Sequence, residues 1–414
     1  MKHLKIFFIA LVSLLVINQT VFSQAEKSKG EFIDKYSPFY DEMLKEANDF
    51  AKENFSISKR TPESKNFRVD LSSLDIPKDL TEFTYYWFND PVSQGLTGTC
   101  WSFSATSFYE SEINRVHNTK IKLSEMWTAY WEYVEKATGF VRTRGESYFS
   151  EGSESNAIKR VWLKYGIVPE SAYTGLLPGE INHDHRKMIE EMSKYLESVK
   201  RDNLWNEETV ISTIKSILNR YMGEPPVNFT YDGKDYTAKD FFENVVNLKM
   251  DDYVELMSLI GQPFYKQVEY TVPDNWWHNK DYYNVPLTDF ISAIKSAIRN
   301  GYTMVIGGDV SEPGYDSRYK AAVIPTFDIP SEYIDDYARE LRFENNSTGD
   351  DHGIHLVGYT NKNGKDWFLI KDSGAGARNK DPKGFYFYTE DYVKLKMLGI
   401  TVHKDAIKDI LSKF

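Results

Sequence analysis

The chain has 414 residues and a formal net charge of −11, with 61 acidic against 50 basic side chains and no concentrated basic tract, a balance that argues against nucleic acid as a partner. It carries a single cysteine, so no intrachain disulfide can form and stability must come from packed core. The length suffices for two lobes or for one large domain with insertions. Aromatic residues make up 15%, which points to extensive aromatic packing.

At the N-terminus Lys2 and Lys5 precede an apolar run from Ile6 to Ile17, too short to span a bilayer, and Val21-Phe-Ser23 before Gln24 offers a cleavage site. The pattern predicts a secretory signal over 1–23 and a periplasmic or secreted mature chain with no membrane association. Residues 24–80 are charged and polar, with a helix near Ser37–Asn54, and are expected to wrap the body. Trp101, Ala105, Phe108 and Glu112 have helical spacing to about Arg115, predicting one buried face. Helical patterning continues to about Tyr173, and from Pro178 to Tyr265 the chain reads as further helices, for instance Asn206–Met222. A hairpin with Asp-Gly at its turn interrupts them at Phe229–Thr237. An amphipathic helix follows at Leu287–Asn300, ended by Gly301. Strands are expected at Thr303–Gly307, Ile354–Tyr359, Trp367–Lys371 and Gly384–Tyr388.

The lone thiol, Cys100, lies in Gln94-Gly-Leu-Thr-Gly-Thr-Cys-Trp-Ser-Phe103, where a polar, glycine-rich loop runs into the helix. A helix N-terminus places unpaired N–H groups and the positive end of the macrodipole beside the sulfur, which favours thiolate. Gln94, six residues upstream, can fold back and aim its amide at an oxyanion forming near that sulfur, with the Cys100 N–H as second donor. The base is sought among eight histidines. His352, in Asp350-Asp-His-Gly-Ile-His-Leu-Val-Gly-Tyr359, enters a strand-like run, and His355 competes with it. Positions three apart on a strand face opposite ways, so only one can share a site with Cys100. His352 is the better placed, and His355 reads as a surface or core histidine. Asn361-Lys-Asn-Gly364 signals a hairpin. Asp372, ending the second strand, stands where a side chain can orient the imidazole.

Other constellations read as ordinary. His183-Asp-His185 offers two histidines without a third ligand and is taken as a solvated loop, not a metal site. Asp350-Asp351 can hold a cation or a substrate amine, though acidic pairs usually face water. The sequons at Asn54, Asn228, Asn345 and Asn346 are given no role. No cofactor is expected.

Taken together, Gln94 followed by Cys100-Trp-Ser-Phe103, then Asp351-His352-Gly-Ile with Val357-Gly-Tyr359, then Trp367 with Ile370-Lys-Asp-Ser373, resemble the papain-like cysteine peptidases. The chain is most similar to the bleomycin hydrolase and aminopeptidase C branch, whose members lack the disulfides of secreted relatives. Leu123-Ser-Glu-Met126, Glu151-Gly-Ser153, Lys164-Tyr-Gly-Ile-Val-Pro-Glu170 and Gly307-Gly-Asp-Val-Ser311 extend the resemblance over roughly Thr81 to Ala406. It implies an α+β, papain-like two-lobed fold over 81–414. A helical lobe at about 95–177 carries the cysteine, a helical insertion occupies about 178–265, and a β-rich lobe at about 266–405 carries the histidine.

The resemblance further implies Cys100 as nucleophile, His352 as general acid/base, Gln94 as oxyanion donor and Asp372 as orienting residue. Peptides would be the substrates, cleaved from their N-termini, and homo-oligomers are known in the branch. In that branch a C-terminal arm enters the cleft, and the tail Lys408–Phe414 is a candidate for this. Two departures stand out. Asp372-Ser-Gly-Ala375 replaces the family's Asn-Ser-Trp-Gly, so a carboxylate stands for an amide and the covering tryptophan is missing. The alternatives are therefore a papain-like endopeptidase and a catalytically impaired, peptide-binding homologue.

Overall fold

The computed structural model describes residues 28–34, 38–50 and 65–414. The expected signal, its cleavage site near Ser23 and the end of the first expected helix lie outside them. In chain order, β1 (Lys29–Asp34) precedes helix α1 (Pro38–Phe50), and β2 (Lys65–Asp70) returns to pair with β1 as a separate antiparallel ribbon. A short β3 (Thr84–Tyr85) leads to the helical lobe, α2 (Cys100–His117), α3 (Glu125–Arg142), α4 (Ala157–Tyr165), α5 (Arg186–Asp202) and α6 (Glu207–Met222). The hairpin β4 (Phe229–Tyr231) and β5 (Lys234–Tyr236) turns through Asp232 and Gly233, both at positive φ.

The second half forms β6 (Tyr253–Met257), β7 (Lys266–Val268), β8 (Tyr282–Asn284), helix α7 (Leu287–Arg299), β9 (Met304–Gly308), β10 (Tyr315–Asp316) and β11 (Ala321–Ala322). Helix α8 (Asp336–Glu344), β12 (His352–Lys362), β13 (Lys365–Lys371), β14 (Phe385–Thr389), helix α9 (Glu390–Lys396) and β15 (Met397–His403) follow. The main sheet has the order β10-β11-β14-β13-β12-β9-β15-β6-β8-β7, with β3 added beside β12. One apolar core lies among the helices, around Phe108, Trp127 and Trp162. Another lies between the sheet and α7, around Phe290, Ile306 and Ile370.

The expected strands and helices are present with shifted ends, and three differences have physical causes. Helix α2 was expected to bury one face, yet every residue from Trp101 to Ile113 is buried. It lies between the other helices and β12, and several of its polar side chains are hydrogen-bonded: Ser102 donates to Glu125 O at 2.8 Å and Ser104 to Cys100 O at 2.8 Å. Strand β12 starts at His352 rather than Ile354, because His352 is paired with Gly308 of β9. Residues 253–257, read with a helical stretch, form a strand at the heart of the sheet, between β15 and β8. Five residues of mixed polarity carry no decisive period, and the long-range partners decide.

Helix α2 meets the sheet at Gly353. A Cβ there would lie 3.0 Å from Ser104 Oγ and 3.4 Å from the Trp101 Cα, so the absence of a side chain is what lets the helix tip approach the strand. The Gly353→Val variant is therefore expected to lose about 1–3 kcal/mol of unfolding free energy, read as a lower urea midpoint. An unchanged midpoint would show that the contact does not set the spacing.

Candidate active site

Cys100 is the first residue of α2 and is partly exposed. His352 opens β12, and both line one cleft of about 380 Å³ between the helical lobe and the sheet. The thiol and the imidazole lie close enough for the sulfur's charge to act on the ring. His352 Nε2 hydrogen-bonds to Asp372 Oδ1 at 2.9 Å, so Nδ1 is the ring nitrogen left to serve the sulfur, an assignment that rests on these partners.

Asp372 is 2% exposed and fully engaged. Besides His352, it accepts from the Gly374 N–H at 2.7 Å and from the Tyr315 hydroxyl at 2.9 Å. Tyr315 in turn stacks on Tyr386 with ring centroids 4.3 Å apart. Glycine at 374 leaves one side of the imidazole without a covering side chain: a Cβ there would lie 3.6 Å from His352 Nε2 and 3.1 Å from Asp372 Oδ1.

Burial works against a charged imidazole, but the negative charges of Asp372 and Cys100 outweigh it and hold the His352 pKa well above its usual 6.5. Burial likewise works against the carboxylate, and the His352 charge with the hydrogen bonds from His352, Gly374 and Tyr315 brings Asp372 down to about 2. The two shifts stabilise the fold in different windows. The His352 contribution is complete below 6.5 and is lost as pH rises through the raised folded value, whereas that of Asp372 is present above 3.8 and lost as pH falls through about 2.

Gln94 lines the same cleft and is clamped at both ends of its amide. Oε1 accepts from the Ser373 hydroxyl at 2.8 Å, and Nε2 donates to Thr97 O at 2.7 Å. A carbonyl can only accept, so the amide orientation is fixed, and the second Nε2–H remains for an acceptor near Cys100. The four residues singled out by sequence, Gln94, Cys100, His352 and Asp372, are thus brought together.

His355 is excluded from the cleft. It is fully buried on the opposite face of β12, its Nδ1 bonded to Ser107 Oγ at 2.9 Å, and burial beside Lys371 lowers its pKa. His183 and His185, expected in a solvated loop, are instead packed into the helical lobe. His185 is 2% exposed and bonded to the Tyr133 hydroxyl at 3.0 Å, and burial lowers the two histidines to about 4 and 3. Asp350 and Asp351 both line the cleft, and Asp350 departs from the solvated pair expected because it is half-buried, whereas Asp351 remains exposed. The tail Lys408–Phe414 does not line the cleft: Phe414 packs on Tyr265 and Tyr283, and Lys413 pairs with Asp289 at 2.5 Å.

Sequence reasoning did not gather Glu154, Glu255, Asp274, Tyr270 and Tyr282, which line the cleft as well. They come from distant loops and strands, and no local spacing joins them.

The model of the Peptidase C1-like family matches residues 148–414, the stretch holding His352 and Asp372. The chain belongs to that family. It is 25% identical over 269 residues to Aminopeptidase C of Listeria monocytogenes, covering 56% of this chain and 61% of that one. Aminopeptidase C of Streptococcus thermophilus is 23% identical over 298 residues, covering 62% and 64%. The chain thus spans about three fifths of the length of these curated relatives. Among solved structures, PepW from Lactobacillus rhamnosis aligns with a TM-score of 0.65 at 17% identity, over 80% of this chain and 84% of that one. These findings place the chain in the aminopeptidase C and bleomycin hydrolase branch of the papain-like peptidases, with the α+β fold expected of it.

The Asp372 charge predicts a measurable pH effect. In Asp372→Asn the imidazolium loses its anionic partner, so the alkaline limb of kcat/KM for peptide cleavage, which needs the His352 proton, is expected to move to lower pH by about 1–3 units. Superimposable profiles for the two proteins would remove the carboxylate from this role.

Proposed function

We propose that the protein is a thiol peptidase that releases residues from the N-termini of peptides. The observation that carries this reading is the meeting of Cys100 at a helix tip with an imidazole that Asp372 keeps protonated. Cys100 Sγ attacks the scissile carbonyl, and its electron pair moves onto oxygen, held by the Cys100 N–H and the free Nε2–H of Gln94. His352 then gives its proton to the departing amine. Water, deprotonated by His352, attacks the resulting thioester, expels the Cys100 thiolate and frees the carboxylate. Action on the N-terminal residue takes its support from the Aminopeptidase C relatives. Export to the periplasm or beyond takes its support from the Ile6–Ile17 run alone.

Two measurements test this. Peptides with a free α-amine should be cleaved and their N-acetylated forms should not, with all activity lost in Cys100→Ser; equal rates on both forms would make the protein an endopeptidase. Replacing Gln94 by Ala should lower kcat by about 10²–10³-fold with a smaller change in KM. A loss confined to KM would show that Gln94 binds substrate without serving the oxyanion.

A further inference from the structure

The cleft beside Cys100 is walled by carboxylates with little positive charge to balance them. Glu154, from the loop before α4, and Asp350, two residues before His352, approach from opposite lobes, line the same cleft and lie close enough to act on each other's charge. Burial and the repulsion of neighbouring carboxylates raise the pKa of both, because adjacent negative charges out of water repel strongly. Asp274 and Glu255 add to the same wall. Glu255 is 7% exposed and makes no ion pair among the described residues.

The nearest cations are committed elsewhere. Lys136, behind Asp274, donates to Ser150 Oγ and Gly152 O. Lys159, which acts on Glu255 at a distance, pairs with Asp251 at 2.7 Å. Arg339, near Tyr270, donates to the carbonyls of Ser258 and Lys394.

A second observation shows that this wall is unfinished. Tyr270 and Tyr282 are 2% and 3% exposed and line the cleft, and among the described residues their hydroxyls find no hydrogen-bond partner, as is also true of the buried Glu154 Oε1. Buried polar atoms are seldom left so. Each of these three atoms can bond a ligand that donates several N–H groups, while a neutral apolar side chain would leave them all unmet.

We propose that Glu154 and Asp350 form the site for a positively charged amino group of the peptide, either its free α-ammonium or a lysine side chain. The inference rests on the peptidase reading above and names what that site selects. Asp350 and His352 are two residues apart, a span of at most about 7 Å of extended chain, so a cation held at the pair lies near the carbonyl presented to Cys100. The pair thereby supplies in the cleft the negative charge that residues 408–414, docked on Tyr265 and Tyr283, do not bring there. The entering ammonium takes the place of any proton held on either carboxyl, which leaves to solvent.

Three chloromethyl ketones test this through the rate at which Cys100 Sγ displaces chloride to form a thioether. They are the leucyl compound with a free α-amine, its N-acetyl form, and N-acetyl-lysyl. The wild-type protein should react faster with at least one cationic probe than with N-acetyl-leucyl. In the Glu154→Gln, Asp350→Asn double variant that preference should fall about tenfold, the loss expected for a charged hydrogen bond. The cationic probe that loses its advantage identifies the source of the ammonium. Should the double variant not fold, Glu154→Gln alone serves. Equal rates for all three probes on the wild type, or a preference that survives substitution, overturns the proposal. Iodoacetamide separates this from the underlying reading: alkylation of wild-type Cys100 no faster than that of an ordinary thiol counts against the peptidase, while the probe ratios still report on the cation site.

Discussion

The approach of a helix tip to the start of a strand is the constraint on which this molecule depends. Cys100 begins α2, His352 begins β12, and Gly353 removes the Cβ that would hold them apart. The two elements belong to different cores, one of helices and one of sheet, so the sulfur and the imidazole meet only when both are packed against each other. This explains why α2 is buried all round. An amphipathic helix with one wet face could not lie in the seam between two lobes.

From that contact the electrostatics follow. A buried histidine ordinarily loses its charge, as His355, His183 and His185 do in this same protein. His352, though slightly more open to the cleft, goes the other way because a carboxylate with three hydrogen-bond donors sits against it. Asp372 in place of an amide, and glycine in place of a tryptophan, therefore belong to one rearrangement. The charge is stronger, and Tyr315, from an edge strand stacked on Tyr386, closes the site from another direction.

What could be read from the sequence followed from local chemistry. The helix after Cys100, the hairpins at Asp232-Gly233 and Asn363-Gly364, the strand after His352 and the four residues at its mouth all lie in short motifs whose geometry is set by neighbours along the chain. What escaped reading was set by partners far away. Strand β6 is a strand because β15 and β8 flank it. His183 and His185 are neutral because a helical lobe closes over them. Asp350 looked like half of a solvated pair because nothing nearby announces Glu154, nearly two hundred positions earlier. A cleft wall built from both lobes leaves no spacing to find.

The sulfur at the helix tip has one further chemical consequence. It is the chain's single thiol and is partly open to solvent, so an oxidant that converts it to a sulfenic acid finds no resolving cysteine within the molecule. Repair then falls to a small external thiol, and a second oxygen takes the residue past the point of return. The redox state of the whole protein is the state of one atom.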